Sequence, residues 1–204
     1  YANTTADYNT AVGRSALGAN TTGAENTAVG SGALLANITG ANNTAMGRNA
    51  MSTAAGATDD NCVAIGFEAL KVMNGTNQGN NVAIGSGSMA ATTTGHQNVA
   101  VGAYTLAANT TGIHNTAVGY ATLQANTTGD KNTAVGNNAL NDNTTADNNT
   151  AVGYATLDNN TAGTSNVAVG ANALTANTTA SNNTAVGKFA LLSTTTGAGN
   201  TGVG

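Results

Sequence analysis

The sequence predicts an all-β fold, a parallel β-solenoid (β-roll) of about twelve coils of 17–19 residues, intertwined with or packed against identical chains. Three observations carry this: a short fixed repeat, strand-like alternation inside it, and a composition that cannot build an ordinary core. The tripeptide AVG or a close variant ends at Gly13, Gly30, Gly47, Gly66, Gly85, Gly102, Gly119, Gly136, Gly153, Gly170, Gly187 and Gly204, in steps of 17 residues with two steps of 19. The unit reads N-T-A-V-G-x-x-A-L-x-A-N-T-T-G-x-x, nearly complete from Asn115 to Lys131. Helix-pair repeats need about 30 residues or more, so this period is too short for them. The unit also lacks helical apolar spacing, and its Gly and Thr disfavour helix. One β-rich pentapeptide and two glycine turns suit one solenoid coil, with equivalent residues about 4.8 Å apart along the axis.

Within the pentapeptide, side chains alternate between faces. One face takes the residue before each glycine: Val12, Val29, Met46, Ile65, Ile84, Val101, Val118, Val135, Val152, Val169, Val186 and Val203. Two residues earlier stands Thr in most coils, with Val63, Val82, Val99 and Val167 in the others, so that position is apolar in character. The opposite face carries Ala, preceded by Asn9, Asn26, Asn43, Asn81, Asn98, Asn115, Asn132, Asn149, Asn166, Asn183 and Asn200. Stacked Asn amides can bond along the axis as a ladder, which supplies the partners that buried amides require. Cys62 takes the Asn position in one coil and reads as a small buried substitute.

Uniformity on both faces implies that something covers the outside, whereas the pair after each glycine drifts as solvent-facing positions do. Each coil also holds one Leu-like residue, at Leu17, Leu34, Met51, Leu70, Met89, Leu106, Leu123, Leu140, Leu157, Leu174 and Leu191. Burying one contributes about 1.5–3 kcal/mol, against about 1–2 kcal/mol to order each backbone residue. The expectation is that the valine and leucine stripe is shared among sister chains as an oligomer core. Residues 1–204 read as one repeat-built segment whose pattern is already running at Tyr1, so a longer fibre is expected. The 19-residue coils occupy 48–85, and their extra residues give candidate binding loops at Asp59, Asp60, Lys71 and Asn74, or plain variation in loop length.

Asn61–Gly66 (NCVAIG) and Asn81–Gly85 (NVAIG), with the recurrent NTAVG, resemble the head repeats of trimeric autotransporter adhesins. The longer NTAVGxxALxANTTG unit is similar to repeats of bacteriophage tail-fibre proteins and related bacterial surface proteins. The resemblance spans essentially the whole chain. It implies a homotrimer, an extracellular place on a bacterial cell surface or virion tail fibre, and a structural or adhesive role with a glycan or protein receptor. The 17-residue period is longer than that of the adhesin heads.

Composition narrows the remaining classes. Only 7% of residues are charged, the net charge is −4, and the five basic residues are scattered, which opposes nucleic-acid binding. No apolar run reaches the roughly 20 residues of a membrane span. One Cys leaves no disulfide framework, no cofactor motif is present, and the few acids form no catalytic set, so an enzyme is not expected. His96 and His114 lie in neighbouring coils, with Asp130 in a related turn, and read as exposed turn residues before metal ligands. The sequons at Asn20, Asn109 and Asn126 read as products of repetition. A second functional class, ice binding, would use the stacked Thr-Thr turns such as Thr21-Thr22 and Thr110-Thr111.

Overall fold

The computed structural model describes residues 3–53, 60–74 and 79–204. Among them, twelve three-residue strands follow one another: β1 (Thr10–Val12), β2 (Thr27–Val29), β3 (Thr44–Met46), β4 (Val63–Ile65), β5 (Val82–Ile84), β6 (Val99–Val101), β7 (Thr116–Val118), β8 (Thr133–Val135), β9 (Thr150–Val152), β10 (Val167–Val169), β11 (Thr184–Val186) and β12 (Thr201–Val203). They form one parallel sheet in strict chain order, with each Ala opposite the next coil's Ala, or Gly202 at the last strand. The chain is a β-solenoid, and no described residue is helical.

Three strand residues cannot hold a 17-residue coil by themselves. Backbone bonds between coils run around the whole circuit: Leu123 N–H donates to Ala139 O (3.0 Å), Ala125 to Asn141 O (2.9 Å), Thr127 to Thr144 O (2.8 Å) and Lys131 to Ile113 O (3.0 Å). Two four-residue turns close each coil, as in Ala16 N–H to Gly13 O and Asn20 N–H to Leu17 O. Nearly every backbone amide therefore meets the coil above or below, which a buried backbone demands.

The interior is thin. In the coil of β7, the inward set is Asn115, Ala117, Thr122, Leu123 and Asn126, all fully buried. Leucine supplies the only large apolar group, and the alanines let two walls of the coil approach. The leucine column is a correction to the expected shared stripe. Leu34, Leu106, Leu123, Leu140, Leu157 and Leu174 are 0% exposed and Leu17 is 5% exposed within their own chain. Their burial requires no sister chain.

The turns demand conformations that the repeat conceals. Leucines of this column hold φ near +50°, for example Leu123 at 51° and Leu140 at 52°. Two further positions per coil are left-handed, the second residue after the strand glycine and the residue before the ladder Asn. Left-handed backbone costs non-glycine residues about 1–2 kcal/mol each. Here the inter-coil bonds and the burial of leucine impose it. The second member of the pair after each glycine sits at positive φ, and three Asn (Asn49, Asn138, Asn172) and Gly32 and Gly87 fall there, while the identity of the pair still varies from coil to coil.

The strand-ending glycines are required outright. Gly136 has φ +134°, and a Cβ there would lie 2.3 Å from the carbonyl oxygen of Gly153 in the next coil. Gly136→Ala is expected to cost about 2–5 kcal/mol, from backbone strain and overpacking together. Gly129→Ala should cost clearly less, because Ala146 and Ala180 occupy that position in other coils. Denaturant unfolding of both variants checks the difference.

Candidate functional site

Two columns of asparagine line the interior. In the first, the side-chain Oδ1 accepts the backbone N–H of the next column member: Asn98 Oδ1 from Asn115 N–H at 2.9 Å, Asn115 Oδ1 from Asn132 N–H at 2.9 Å, Asn132 Oδ1 from Asn149 N–H at 3.0 Å. In most coils the Nδ2 also reaches across to a turn carbonyl, as Asn115 does to Gly129 O (2.8 Å) and Asn132 to Ala146 O (2.8 Å), whereas the Asn183 Nδ2 has no partner. Asn26, Asn43, Asn81, Asn98, Asn166 and Asn183 occupy the same buried column, which ends on the half-buried Asn9 and the exposed Asn200. The column therefore ties both the coil to its neighbour and one wall to the other.

The second column was not anticipated. It consists of the Asn of each A-N-T-T turn, buried at Asn20, Asn37, Asn109, Asn126, Asn143, Asn160 and Asn177. Here amides bond directly to amides: Asn126 Nδ2 to Asn109 Oδ1 at 2.9 Å, Asn143 to Asn126 at 2.9 Å, Asn160 to Asn143 at 3.1 Å and Asn177 to Asn160 at 2.8 Å. The same Nδ2 also closes its own turn, as Asn126 does on Gly129 O at 3.0 Å. The signal was present, because this Asn recurs as steadily as the strand Asn. The sequons at Asn20, Asn109 and Asn126 place their acceptor amides inside this ladder, so a glycan there is incompatible with the folded coil.

The irregular coils break both ladders at once. Cys62 stands in the first column, where its N–H donates to Asn43 Oδ1 (2.9 Å). Met73 stands in the second, fully buried; Thr92 stands there too in the 17-residue coil that follows, and its buried hydroxyl has no partner. Of the predicted loop residues, Asp59 lies outside the described residues. Asp60 Oδ1 accepts the Ala41 N–H (2.7 Å), Lys71 pairs with Glu68 (3.2 Å), and Asn74 N–H donates to Thr93 O (3.0 Å). Each is engaged locally with its own or a neighbouring coil, and no shared pocket gathers them.

Outside, the strand face presents its Thr and Val columns. Val12, Met46, Ile84, Val118, Val135, Val152, Val169 and Val186 are 36–57% exposed. Val29, Ile65 and Val101 are half-buried in the same column. The face is in register across all twelve strands and carries no charge. The turn threonines behave differently. The first of each pair donates its hydroxyl to the next coil, as Thr110 Oγ1 does to Thr127 O (2.9 Å) and Thr127 to Thr144 O (2.9 Å). The proton of that hydroxyl is committed to the fold, which leaves it only as an acceptor toward solvent.

Beside the turns, His96 and His114 meet edge to face with ring centres 6.2 Å apart. Asp130 does not join them, because its Oδ1 accepts the Ile113 N–H at 2.7 Å, just as Asp147 caps Asp130 N–H at 2.7 Å. Among the described residues no group of three or more His, Cys, Asp or Glu side chains could hold a metal ion. No described helix is long and apolar enough to cross a membrane. Asp142 and Asp158 face each other from adjacent coils. Burial, and then the Asp142 charge, push the Asp158 carboxyl above the usual carboxylate range.

No protein-family model, no curated protein and no solved structure matches this chain.

Two measurements test the site as described. Asn126→Ala removes the donor to Asn109 Oδ1 and Gly129 O and the acceptor of Asn143 Nδ2. The expected loss, from the cavity and the orphaned amides, is about 2–4 kcal/mol in denaturant unfolding. For Asp158 the folded pKa lies above the unfolded one, so its ionisation disfavours the fold. The penalty is absent below the unfolded carboxylate range and sets in as pH rises through it. Asp158→Asn should therefore raise the melting temperature at neutral pH by an amount worth under about 1 kcal/mol, given solvent screening. The gain should close below about pH 3.

Proposed function

We propose that the chain is a rod-like stretch of an extracellular fibre, structural and adhesive in role and not enzymatic, whose Thr/Val face packs against identical chains. The observation that carries this reading is the uncharged Thr/Val face itself, uniform and in register over twelve strands yet left exposed by the single chain. Such a strip is on the order of 1,000 Å², the scale that one partner contributes to a stable protein interface. Contiguous apolar patches of this size mark association surfaces. The resemblance of NTAVG and NVAIG to adhesin-head and tail-fibre repeats supports three chains and a place on a bacterial surface or virion tail.

The remaining chemistry supports a scaffold. Asn amides, turn hydroxyls and the Asp130 and Asp147 carboxylates are held in coil-to-coil bonds. A rod built this way spaces or presents a receptor-binding element, the receptor being a surface glycan or protein.

The same face favours a second reading. Thr and Val stand two residues apart in seven of the twelve strands, β1, β2, β7, β8, β9, β11 and β12, and repeat at the coil rise, an arrangement able to order water as an ice-binding plane. This differs from the Thr-Thr turns, whose first hydroxyls are occupied.

Light scattering distinguishes the two. The fibre reading expects a trimer that Val118→Glu with Val135→Glu converts to monomer while the β circular-dichroism signal persists. A wild-type chain that is a stable folded monomer overturns it. Thermal hysteresis from that monomer would establish the ice-binding reading instead, and its absence would remove both.

A further inference from the structure

One edge of the coil, formed by the two residues after each strand glycine, collects most of the aromatic and cationic side chains. Phe67, Tyr120 and Tyr154 stand first after their glycines, and Tyr104 and Phe189 stand second. These are five of the seven Phe and Tyr residues, which the chain holds as 2 Phe and 5 Tyr. Arg14, Arg48 and Lys188 occupy the same edge. Glu68 is the one acid there, and Lys71 neutralises it at 3.2 Å.

The rings are presented to solvent. Phe67, Tyr104, Tyr120, Tyr154 and Phe189 are 42–57% exposed. They follow β4, β6, β7, β9 and β11, so neighbouring rings are one or two coils apart, about 5–10 Å along the axis. Tyr104 and Tyr120 meet edge to face with centres 6.0 Å apart. The outer rings each carry a cation, Arg48 at 4.6 Å from the Phe67 ring centre and Lys188 at 4.7 Å from that of Phe189.

We propose that this edge is a binding track for a linear polysaccharide bearing carboxylates. The inference rests on the fibre reading and names the class of ligand it would take. An extended sugar chain advances by about the rise of one coil per residue, so rings placed every one or two coils meet sugar faces in turn. Exposed rings offer an apolar, π-rich surface to the C–H face of a sugar, while their polar tips stay hydrated. The two cations held against the terminal rings supply partners for carboxylates.

The probe is polygalacturonate, compared with its methyl ester, with dextran and with polyglutamate, in affinity electrophoresis and calorimetry. The wild-type chain should bind polygalacturonate, more weakly at high salt, and should bind polyglutamate and dextran far less. Tyr120→Ala with Tyr154→Ala is expected to lower affinity at least about tenfold. Both positions have ordinary backbone conformation, so the fold should survive. Arg48→Ala should weaken binding and flatten its salt dependence, whereas Tyr8→Ala, off this edge, should change nothing. Failure to bind polygalacturonate, equal binding of polyglutamate, or indifference to the tyrosine pair overturns the track. Light scattering on the same samples separates this from the fibre reading. A trimer that binds no polysaccharide overturns the track alone, and a tyrosine variant that falls to monomer reassigns the edge to contact between chains.

Discussion

Every part of this molecule depends on the in-register stacking of one coil on the next. A coil in isolation has one leucine, a few alanines and two asparagines to bury, far too little to order seventeen residues. Stacking changes the arithmetic because most amides, backbone or side chain, find a partner one coil away. The asparagine ladders matter most, since they remove the desolvation cost of two polar groups in the core of every coil. They also fix register, because an amide displaced by one residue would face a methyl group.

Register in turn governs the corners. Leucine at φ near +50° is a poor conformer locally, yet it recurs in coil after coil. The left-handed step lets the chain turn inward and deliver its only large side chain to the narrow interior. Cooperative coil-to-coil bonding holds that strain, as it holds the strand glycines against the carbonyls of the next coil. The irregular coils show what happens when the pattern lapses. Cys62 and Met73 replace ladder amides there, Thr92 does so in the coil that follows, and the unpartnered Thr92 hydroxyl marks the loss.

A core satisfied internally leaves the outside free to specialise. The strand face is uncharged and repetitive, suited to a partner with the same repeat. The neighbouring edge varies from coil to coil and carries the rings and cations, suited to a ligand read along the axis. The turn side, by contrast, has hydroxyls and carboxylates already engaged with backbone amides. This separation of uniform from variable surfaces follows from the coil being the unit of folding.

The sequence by itself determined the coil period, the parallel stacking and the division of each strand into an Asn/Ala side and a Thr/Val side. A twelvefold repeat reports these directly, because identical residues can stack only in register. It also placed the irregular coils at 48–85. Only the tertiary structure decided which side is the interior, and it set the buried leucines apart from the exposed valines, because the turn between them, closed by bonds such as Ala16 N–H to Gly13 O, carries the leucine to the inner wall. It alone exposed the second asparagine ladder, whose turn-like A-N-T-T spelling hides a buried amide. It alone showed Asp130 and the first turn threonines to be occupied, because those bonds join residues seventeen apart that local reading treats as strangers.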